Sequence, residues 1–262
     1  MKCSPMFRGF FSCLVLSLAS FFAQAAPDPS LHLYLLVGQS NMAGRGAVDE
    51  ESKKADPRIL MFTRTLQWQP ATDPLHFDKP VAGVGPGLAF AKAMAAKAEG
   101  VRIGLIPCAV GGTSIKLWVP GAFDTVTRTH PYSDMLDRVR AAQKDGVLKG
   151  ILWHQGEADQ NAAGAYAGLL GDLIRRLRVD CGADVPFVAG EISSFKSNTV
   201  EGALGINAAI HSLEGKVERF GWVSSEGLRH KGDEVHYDAG SARMLGVRYA
   251  ERMAELQKQR PF

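Results

Sequence analysis

The chain has 262 residues, of which 46% are hydrophobic and 22% are charged, and its formal net charge at pH 7 is +3. A chain of this length can bury the core of one α/β domain, and the sequence has no internal repeats, low-complexity tracts or linkers. The small net charge, without a basic stripe or basic residues interleaved with aromatic ones, argues against nucleic acid as a partner.

The first 25 residues have the pattern of a secretory signal peptide. Lys2 and Arg8 precede a mostly apolar run over residues 9–22, and Ala-Gln-Ala at 23–25 resembles a signal-peptidase site. Because the apolar run is too short for a convincing membrane span, an uncleaved interfacial anchor is only the weaker alternative. We therefore expect a secreted or periplasmic protein, with a single mature domain over residues 26–262 and no membrane contact after cleavage.

Strands and helices alternate along the predicted mature chain. Short apolar runs predict five strands, and alanine-rich or amphipathic stretches predict the helices between them, whereas residues 45–86 are expected to be rich in loops. The predicted strands are Leu31–Val37, Arg102–Pro107, Gly150–His154, Pro186–Gly190 and Gly221–Ser224, and the predicted helices are Leu88–Ala98, Tyr132–Lys144, Tyr166–Leu177, Asn207–Leu213 and Ser241–Lys258. This alternation predicts a three-layer α/β/α sandwich around a parallel, roughly five-stranded sheet.

Two cysteines, Cys108 and Cys181, remain after removal of the signal peptide. Cys108 follows a predicted strand, while Cys181 precedes another, which places them near opposite ends of a parallel sheet. A strand of about five residues separates those ends by about 17 Å, and a disulfide requires Cα atoms within about 7 Å. We therefore predict two free thiols.

The first predicted strand runs into the sequence Gly38-Gln39-Ser40-Asn41. Glycine permits a sharp turn there, and a serine at the carboxyl edge of a sheet has an accessible hydroxyl beside the first amides of the next segment. A nucleophilic serine needs that combination of a free oxygen and nearby oxyanion donors. Taken alone, the serine is more readily interpreted as a helix N-cap, and the motifs that follow favour the nucleophile.

Further polar motifs follow other predicted strands. Gly-Gly-Thr-Ser lies at 111–114, His-Gln-Gly-Glu at 154–157, and an Asp-x-x-His motif at 233–236 just before the last helix. Because the carboxyl ends of parallel strands meet at one edge, these motifs are expected to converge with Ser40. A serine, a histidine, a carboxylate and oxyanion donors are the groups that acyl transfer requires.

These motifs, in this order and over about residues 31–256, resemble the SGNH-hydrolase superfamily. They resemble most its branch of sialate O-acetylesterases and carbohydrate esterase family 6, which includes acetyl xylan esterases. The resemblance implies an SGNH-type, flavodoxin-like α/β/α fold and metal-free, cofactor-free ester hydrolysis on an acetylated carbohydrate. It assigns the nucleophile to Ser40, the base to His236 and the orienting carboxylate to Asp233, and the oxyanion donors to the amides of Ser40 and Gly112 and to the Gln155 side chain.

Several roles stay open at the level of sequence. Glu157 and Glu234 compete with Asp233 for the orienting carboxylate, and Gln155 could instead tie two loops together. Trp118 could stack on a sugar ring or anchor its own loop. The candidate substrate contacts are Gln39, Asn41, Trp118 and Glu157.

Three further classes of protein are less well supported by the same residues. A zinc hydrolase is the rival enzyme, since potential ligands occur at His154, Glu157, Asp159, His230, Asp233 and His236. These ligands lack the compact spacing of known zinc motifs, and the Gly-Gln-Ser and Gly-Gly turns would have no purpose there, so no metal is expected. The same scaffold could also carry an esterase of non-sugar esters or a non-catalytic glycan-binding module.

Overall fold

A seven-stranded sheet forms the centre of the protein in a computed structural model that describes residue 1, residues 26–195 and residues 199–259. Nearly all of the predicted signal peptide, residues 2–25, lies outside the described residues. The strands are β1 (Asp28–Gly38), β2 (Ile59–Phe62), β3 (Trp68–Pro70), β4 (Arg102–Pro107), β5 (Gly146–His154), β6 (Phe187–Gly190) and β7 (Phe220–Val223).

The strand order is β3-β2-β4-β1-β5-β6-β7, and every neighbouring pair is parallel except β2 and β3. This arrangement confirms the predicted parallel α/β sheet, with all five predicted strands present within a few residues of their expected ends. The sheet is larger than predicted, because β2 and β3 lie in the stretch 45–86 that was expected to be loop. Their four and three residues are too short to show an alternating pattern in the sequence.

Helices cover both faces of the sheet. They are α1 (Ser40–Ala43), α2 (Pro86–Lys97), α3 (Pro131–Ala142), α4 (Ala163–Asp180), α5 (Val200–His211) and α6 (Ala239–Lys258), with short 3-10 turns at Ile115–Leu117 and Glu157–Ala162. Buried side chains of α3, α4 and α5 form one core with the sheet, and those of α2 and α6 form a second core on the other face. The result is the predicted three-layer sandwich.

The central strand β1 supplies side chains to both cores because successive residues of a strand face opposite sides. Leu33 and Leu35 pack with α3, α4 and α5, while Tyr34 and Leu36 pack with α2 and α6. All four are fully buried. A nearly continuous apolar run is the pattern expected of a parallel strand covered on both faces.

Cys108 and Cys181 are free and buried, as predicted, and both belong to the core of α3, α4 and α5. Burial raises the pKa of the Cys108 thiol to about 11 and that of Cys181 to about 12. Both groups are therefore neutral thiols at physiological pH. None of the helices in the described residues is long and apolar enough to span a membrane.

Candidate active site

The end of β1 sets the position of Ser40. Gly38 pairs with His154 at the end of β5 and has φ +128°, and a Cβ added there would lie 2.1 Å from the carbonyl oxygen of His154. Only glycine fits this close approach of two strands. The chain then turns sharply, with the Gln39 amide bonded to the same His154 carbonyl at 2.9 Å, and enters the short helix α1 at Ser40.

Ser40, His236 and Asp233 form a continuous line of hydrogen bonds. The Oγ atom of Ser40 lies 3.0 Å from Nε2 of His236, and Nδ1 of His236 lies 2.8 Å from Oδ2 of Asp233. Ser40 is 8% exposed, and the side chains of His236 and Asp233 are 22% and 34% exposed. The site is therefore open to solvent at the carboxylate while the serine lies deeper.

A tight loop before α6 holds Asp233 against His236. The loop is closed by a hydrogen bond from the Lys231 amide to the His236 carbonyl at 2.9 Å. Oδ1 of Asp233 accepts bonds from the amides of Val235 and His236 at 3.0 and 2.8 Å. Partial burial raises the pKa of Asp233, but the hydrogen bonds from the backbone and ring of His236 outweigh it, and the net pKa is well below its usual range. Asp233 is thus ionised at physiological pH.

The glycine turn after β4 lies beside the serine. A Cβ added to Gly111 would lie 3.4 Å from Cβ of Ser40, and Gly112 has φ +87°. Within the described part of the chain, the amides of Ser40 and Gly112 donate no hydrogen bond to another residue. These two amides are therefore available to donate hydrogen bonds to a ligand.

A buried ion pair that the sequence did not indicate supports this turn. Arg45 and Asp78 are paired at 2.7 Å with side chains only 4% and 1% exposed, and Oδ2 of Asp78 also accepts the Gly111 amide at 2.9 Å. In the sequence, the position of Arg45 directly after the serine motif could have indicated a role near the site. Asp78 lies in a long loop without a recognisable pattern.

Gln155 does not occupy the predicted oxyanion position. The residue is fully buried, and its Nε2 lies 3.2 Å from Oε1 of Gln39, 3.0 Å from the Thr113 carbonyl and 2.5 Å from Oδ2 of Asp159. Its Oε1 accepts the Tyr166 hydroxyl at 2.9 Å. Because these neighbours engage both amide hydrogens, the side chain ties loops together, which is the second role that its sequence context allowed.

Of the two roles predicted for Trp118, the structure favours the loop anchor over stacking on a sugar ring. Its side chain is fully buried, packs edge-on against Trp153 at 5.3 Å and donates from Nε1 to Oγ1 of Thr113 at 3.2 Å. A ring without exposed surface cannot stack on a sugar. Trp118 is therefore the anchor of the loop that follows the Gly-Gly turn.

The remaining candidate substrate contacts are largely buried. Gln39 is 4% exposed, and its Oε1 accepts from Gln155 and from the Ala158 amide, which leaves its Nε2 without a protein acceptor in the described residues. Asn41 is 2% exposed and bonds to Glu157 at 2.7 Å. Asn41 and Glu157 are therefore interior residues and not surface contacts for a sugar.

Glu157 does not approach His236 as an orienting carboxylate, because its Oε1 accepts from Asn41 and lies 3.8 Å from Nε2 of His154. Burial raises the pKa of Glu157, with the bond from Asn41 opposing the shift. Burial also lowers the pKa of His154 to about 3, so that this histidine is a neutral core residue bonded to Tyr249 at 3.2 Å.

The potential zinc ligands do not converge. Among the described residues, no three His, Cys, Asp or Glu side chains are placed together so that they could hold a metal ion. His154 is directed to Tyr249, whereas His236 is directed to Ser40 and Asp233. The donor set therefore does not fit a zinc hydrolase.

The α/β/α fold, with a serine, a histidine and a carboxylate hydrogen-bonded at one edge of the sheet, is similar to the arrangement of SGNH-type hydrolases. Residues 30–255 match the family model described as carbohydrate esterase, sialic acid-specific acetylesterase. A probable carbohydrate esterase of Arabidopsis thaliana is 33% identical over 253 residues, which cover 86% of this chain and 91% of the relative. The chain therefore belongs to this carbohydrate esterase family, and it is a carboxylic ester hydrolase.

Solved structures agree with this assignment. The X-ray structure of the protein from the same Arabidopsis locus has a TM-score of 0.74 and 31% identity, and the match covers 87% of this chain and 99% of that one. A carbohydrate acetylesterase from Xanthomonas citri has a TM-score of 0.68 at 20% identity, covering 86% of this chain and 56% of that one. The second likeness bears on the fold alone.

Proposed function

We propose that this protein is a serine esterase that removes O-acetyl groups from carbohydrates through an acetyl-enzyme. The observation that carries the proposal is the line from Ser40 Oγ to His236 Nε2 at 3.0 Å and from His236 Nδ1 to Asp233 Oδ2 at 2.8 Å. This is the arrangement in which an imidazole can take the proton of a serine hydroxyl while a carboxylate holds its tautomer.

In the first half of the reaction, Ser40 Oγ forms a bond to the acetyl carbonyl carbon while its proton moves to Nε2 of His236. The carbonyl oxygen becomes an oxyanion that accepts hydrogen bonds from the amides of Ser40 and Gly112. As the ester C–O bond breaks, His236 returns the proton to the departing sugar hydroxyl. Asp233 stabilises the imidazolium that exists between these two proton transfers.

In the second half, water attacks the acetyl carbon of the acetyl-enzyme. His236 takes a proton from that water, the same two amides hold the second oxyanion, and collapse of the intermediate returns the proton to Ser40 and releases acetate. No step requires a Lewis acid or a redox group. The scheme accordingly needs no cofactor.

Family membership supports an acetylated carbohydrate as the substrate, with acetylated polysaccharide such as xylan and O-acetyl sialic acid as the two classes to compare. Acetate release from both, measured side by side with the wild-type protein and Ser40→Ala, tests the proposal. We expect release from at least one sugar by the wild type and none by the variant. Hydrolysis confined to non-sugar acetyl esters would overturn the carbohydrate substrate, and equal activity of Ser40→Ala would overturn the mechanism.

We also propose that the protein is exported. The support is the sequence of the first 25 residues, with two basic residues, an apolar run and Ala-Gln-Ala at 23–25. Amino-terminal sequencing of the protein recovered from periplasm or medium should begin near Ala26. Recovery of the protein only from cytoplasm with Met1 intact would contradict export.

A further inference from the structure

The residue after the nucleophile contacts the backbone on both sides of the histidine. Nδ2 of Asn41 lies 3.4 Å from the carbonyl oxygen of Val235, and Oδ1 of Asn41 accepts the amide of Tyr237 at 3.2 Å. Val235 and Tyr237 are the immediate neighbours of His236. One carboxamide thus fixes the peptide groups that flank the imidazole, from a position adjacent to Ser40.

The second hydrogen of this carboxamide is held by a residue from a different segment of the chain. Nδ2 of Asn41 donates to Oε1 of Glu157 at 2.7 Å, and the Glu157 side chain is 8% exposed. Glu157 is the first residue of the 3-10 turn after β5, so it lies at the edge of the sheet. It is not part of the histidine loop, residues 231–236, which is closed by the bond between Lys231 and His236. With Asn41 only 2% exposed, every donor and acceptor of its carboxamide has a partner and its orientation is unique.

The histidine loop needs such a connection because much of its own structure faces solvent. Lys231 and Gly232 are exposed, Asp233 keeps about a third of its side chain exposed, and Gly232 and Glu234 both have positive φ. A loop of this kind opens at low free-energy cost unless buried contacts hold it. Asn41 supplies buried contacts at the point where the loop presents His236.

We propose that Asn41, held in place by Glu157, is a positioning residue that sets the distance between His236 and Ser40. Neither side chain touches the reacting atoms in this role, and the inference rests on the proposed serine mechanism. Glu157 thereby gains a function different from the orienting carboxylate and the substrate contact considered from the sequence. A misplacement of about 1 Å at a catalytic group can reduce a rate by about 100-fold. Loss of the contacts made by Asn41 is therefore expected to lower the rate of hydrolysis measurably.

The first experiment separates positioning from binding and stability. Asn41→Ala should lower kcat on a small chromogenic acetyl ester by about 10- to 100-fold while KM changes by less than about threefold, because the ester pocket is untouched. The matched control is Asn207→Ala. Asn207 also holds a loop backbone, with bonds of 2.9 Å to the amide and carbonyl of Ile192. Asn207→Ala should lower the thermal stability about as much as Asn41→Ala does, but its kcat should stay within about twofold of the wild-type value.

The second experiment exchanges donor and acceptor. Asn41→Asp places two carboxyl groups face to face and should lower kcat most on the alkaline side of the pH profile, where they cannot share a proton. The double variant Asn41→Asp with Glu157→Gln restores one donor and one acceptor between positions 41 and 157, although a carboxylate at position 41 cannot donate to the Val235 carbonyl, so the recovery should be incomplete. The kcat of this double variant should be at least about tenfold higher than that of Asn41→Asp alone. If the two residues do not act together, the kcat losses of the two single variants should instead simply add.

The outcomes distinguish this inference from the proposed function. If the wild type hydrolyses the ester, Ser40→Ala does not, and Asn41→Ala keeps wild-type kcat, the positioning role is wrong and the serine mechanism stands. A kcat loss in Asn207→Ala as large as in Asn41→Ala would also overturn the positioning role, since any loosened loop would then suffice. If the wild type hydrolyses no acetyl ester, the proposed function itself fails.

Discussion

In the proposed mechanism, the hydroxyl of Ser40 depends on one imidazole for its reactivity, because a neutral serine is a weak nucleophile. Its Oγ lies within hydrogen-bond distance of His236, and His236 in turn is bonded to an ionised Asp233. The three side chains come from two segments separated by almost the whole chain. We expect them to act as one unit, so the effects of replacing them should not add.

Ser40→Ala and His236→Ala should each lower kcat by several orders of magnitude on any acetyl ester that the wild type hydrolyses. The double variant should be about as slow as either single variant, since either change alone disables the nucleophile. Asp233→Asn should cost nearly as much, because it removes the charge that stabilises the imidazolium. Losses that multiply in the double variant would contradict a single unit. Full activity of Asp233→Asn, with Glu157→Gln inactive, would transfer the orienting role to Glu157.

Asp73 carries a buried carboxyl whose titration should be visible in stability. It is 6% exposed, and its Oδ1 has no hydrogen-bond partner in the described structure. Burial raises the pKa of Asp73 to about 7, although Arg243 opposes the shift. Because the folded-state pKa lies above the unfolded one, the ionised group destabilises the fold increasingly from about pH 4 to about pH 7 and by a constant amount above that.

Asp73→Asn removes this charge. Relative to wild type, Asp73→Asn should be more stable at about pH 8 than at about pH 4: the free energy of unfolding of the variant minus that of the wild type should be larger at pH 8, by on the order of 3 kcal/mol. Denaturant unfolding of both proteins at the two pH values measures the difference directly. A difference that is equal at both pH values would show that Asp73 titrates normally in the folded protein.

The residues with motif context could be assigned from the sequence, and those whose role depends on packing could not. Ser40 and the Asp-x-x-His pair lie where the motifs predicted. The sequence could not decide between Asp233 and Glu157, since the answer depends on the conformation of a loop with two positive-φ residues. Gln155 and Trp118 have the right chemistry for contacts with substrate, but complete burial gives both a structural role.

At the level of elements, the clearest feature is the close contact between α2 and α6. Gly246 in α6 faces the first turn of α2, and a Cβ added there would lie 2.3 Å from the carbonyl oxygen of Pro86 and 2.9 Å from Cβ of Ala89. Backbone cannot move away as a flexible side chain can. The glycine therefore permits the separation at which the two helices cover the sheet.

Gly246→Ala should destabilise the protein by about 1–3 kcal/mol, the usual cost of overpacking a well-packed interface. Gly168→Ala in α4 is the matched control, because no atom lies within 4 Å of its added Cβ. That control should stabilise the protein by about 0.5–1 kcal/mol through helix propensity. Denaturant unfolding measures both, and equal effects of the two changes would disprove the close-contact argument.

Element type was predictable where the pattern was long, as in α4 with its single apolar face, and in β1 with its continuous apolar run. The strands β2 and β3 were missed because a strand of three or four residues carries no periodic signal, and the pairing of β2 with β4 and of β3 with β2 is decided by tertiary contacts. Asn207–Leu213 was predicted to belong to a helix, whereas α5 also includes the seven residues before it, since Val200–Ile206 lacks a strong amphipathic pattern.

At the level of the whole molecule, the chemistry should be independent of metal ions. The proposed steps use a hydroxyl, an imidazole and backbone amides, and the described residues contain no cluster of metal ligands. Treatment with EDTA should leave the rate of acetyl ester hydrolysis unchanged. Loss of activity that zinc restores would favour a zinc hydrolase and demote Ser40.

The positions of Ser40 and His236 in the chain have a consequence for biosynthesis. Ser40 follows β1, the first strand, while His236 lies just before α6, the last helix of the described residues, 196 positions further along the chain. A nascent chain on the ribosome contains its serine long before its histidine, and the segment that carries the histidine leads directly into α6, which packs against α2. If Ser40 and His236 act as proposed, hydrolytic activity is expected to begin only after most of this domain has been synthesised.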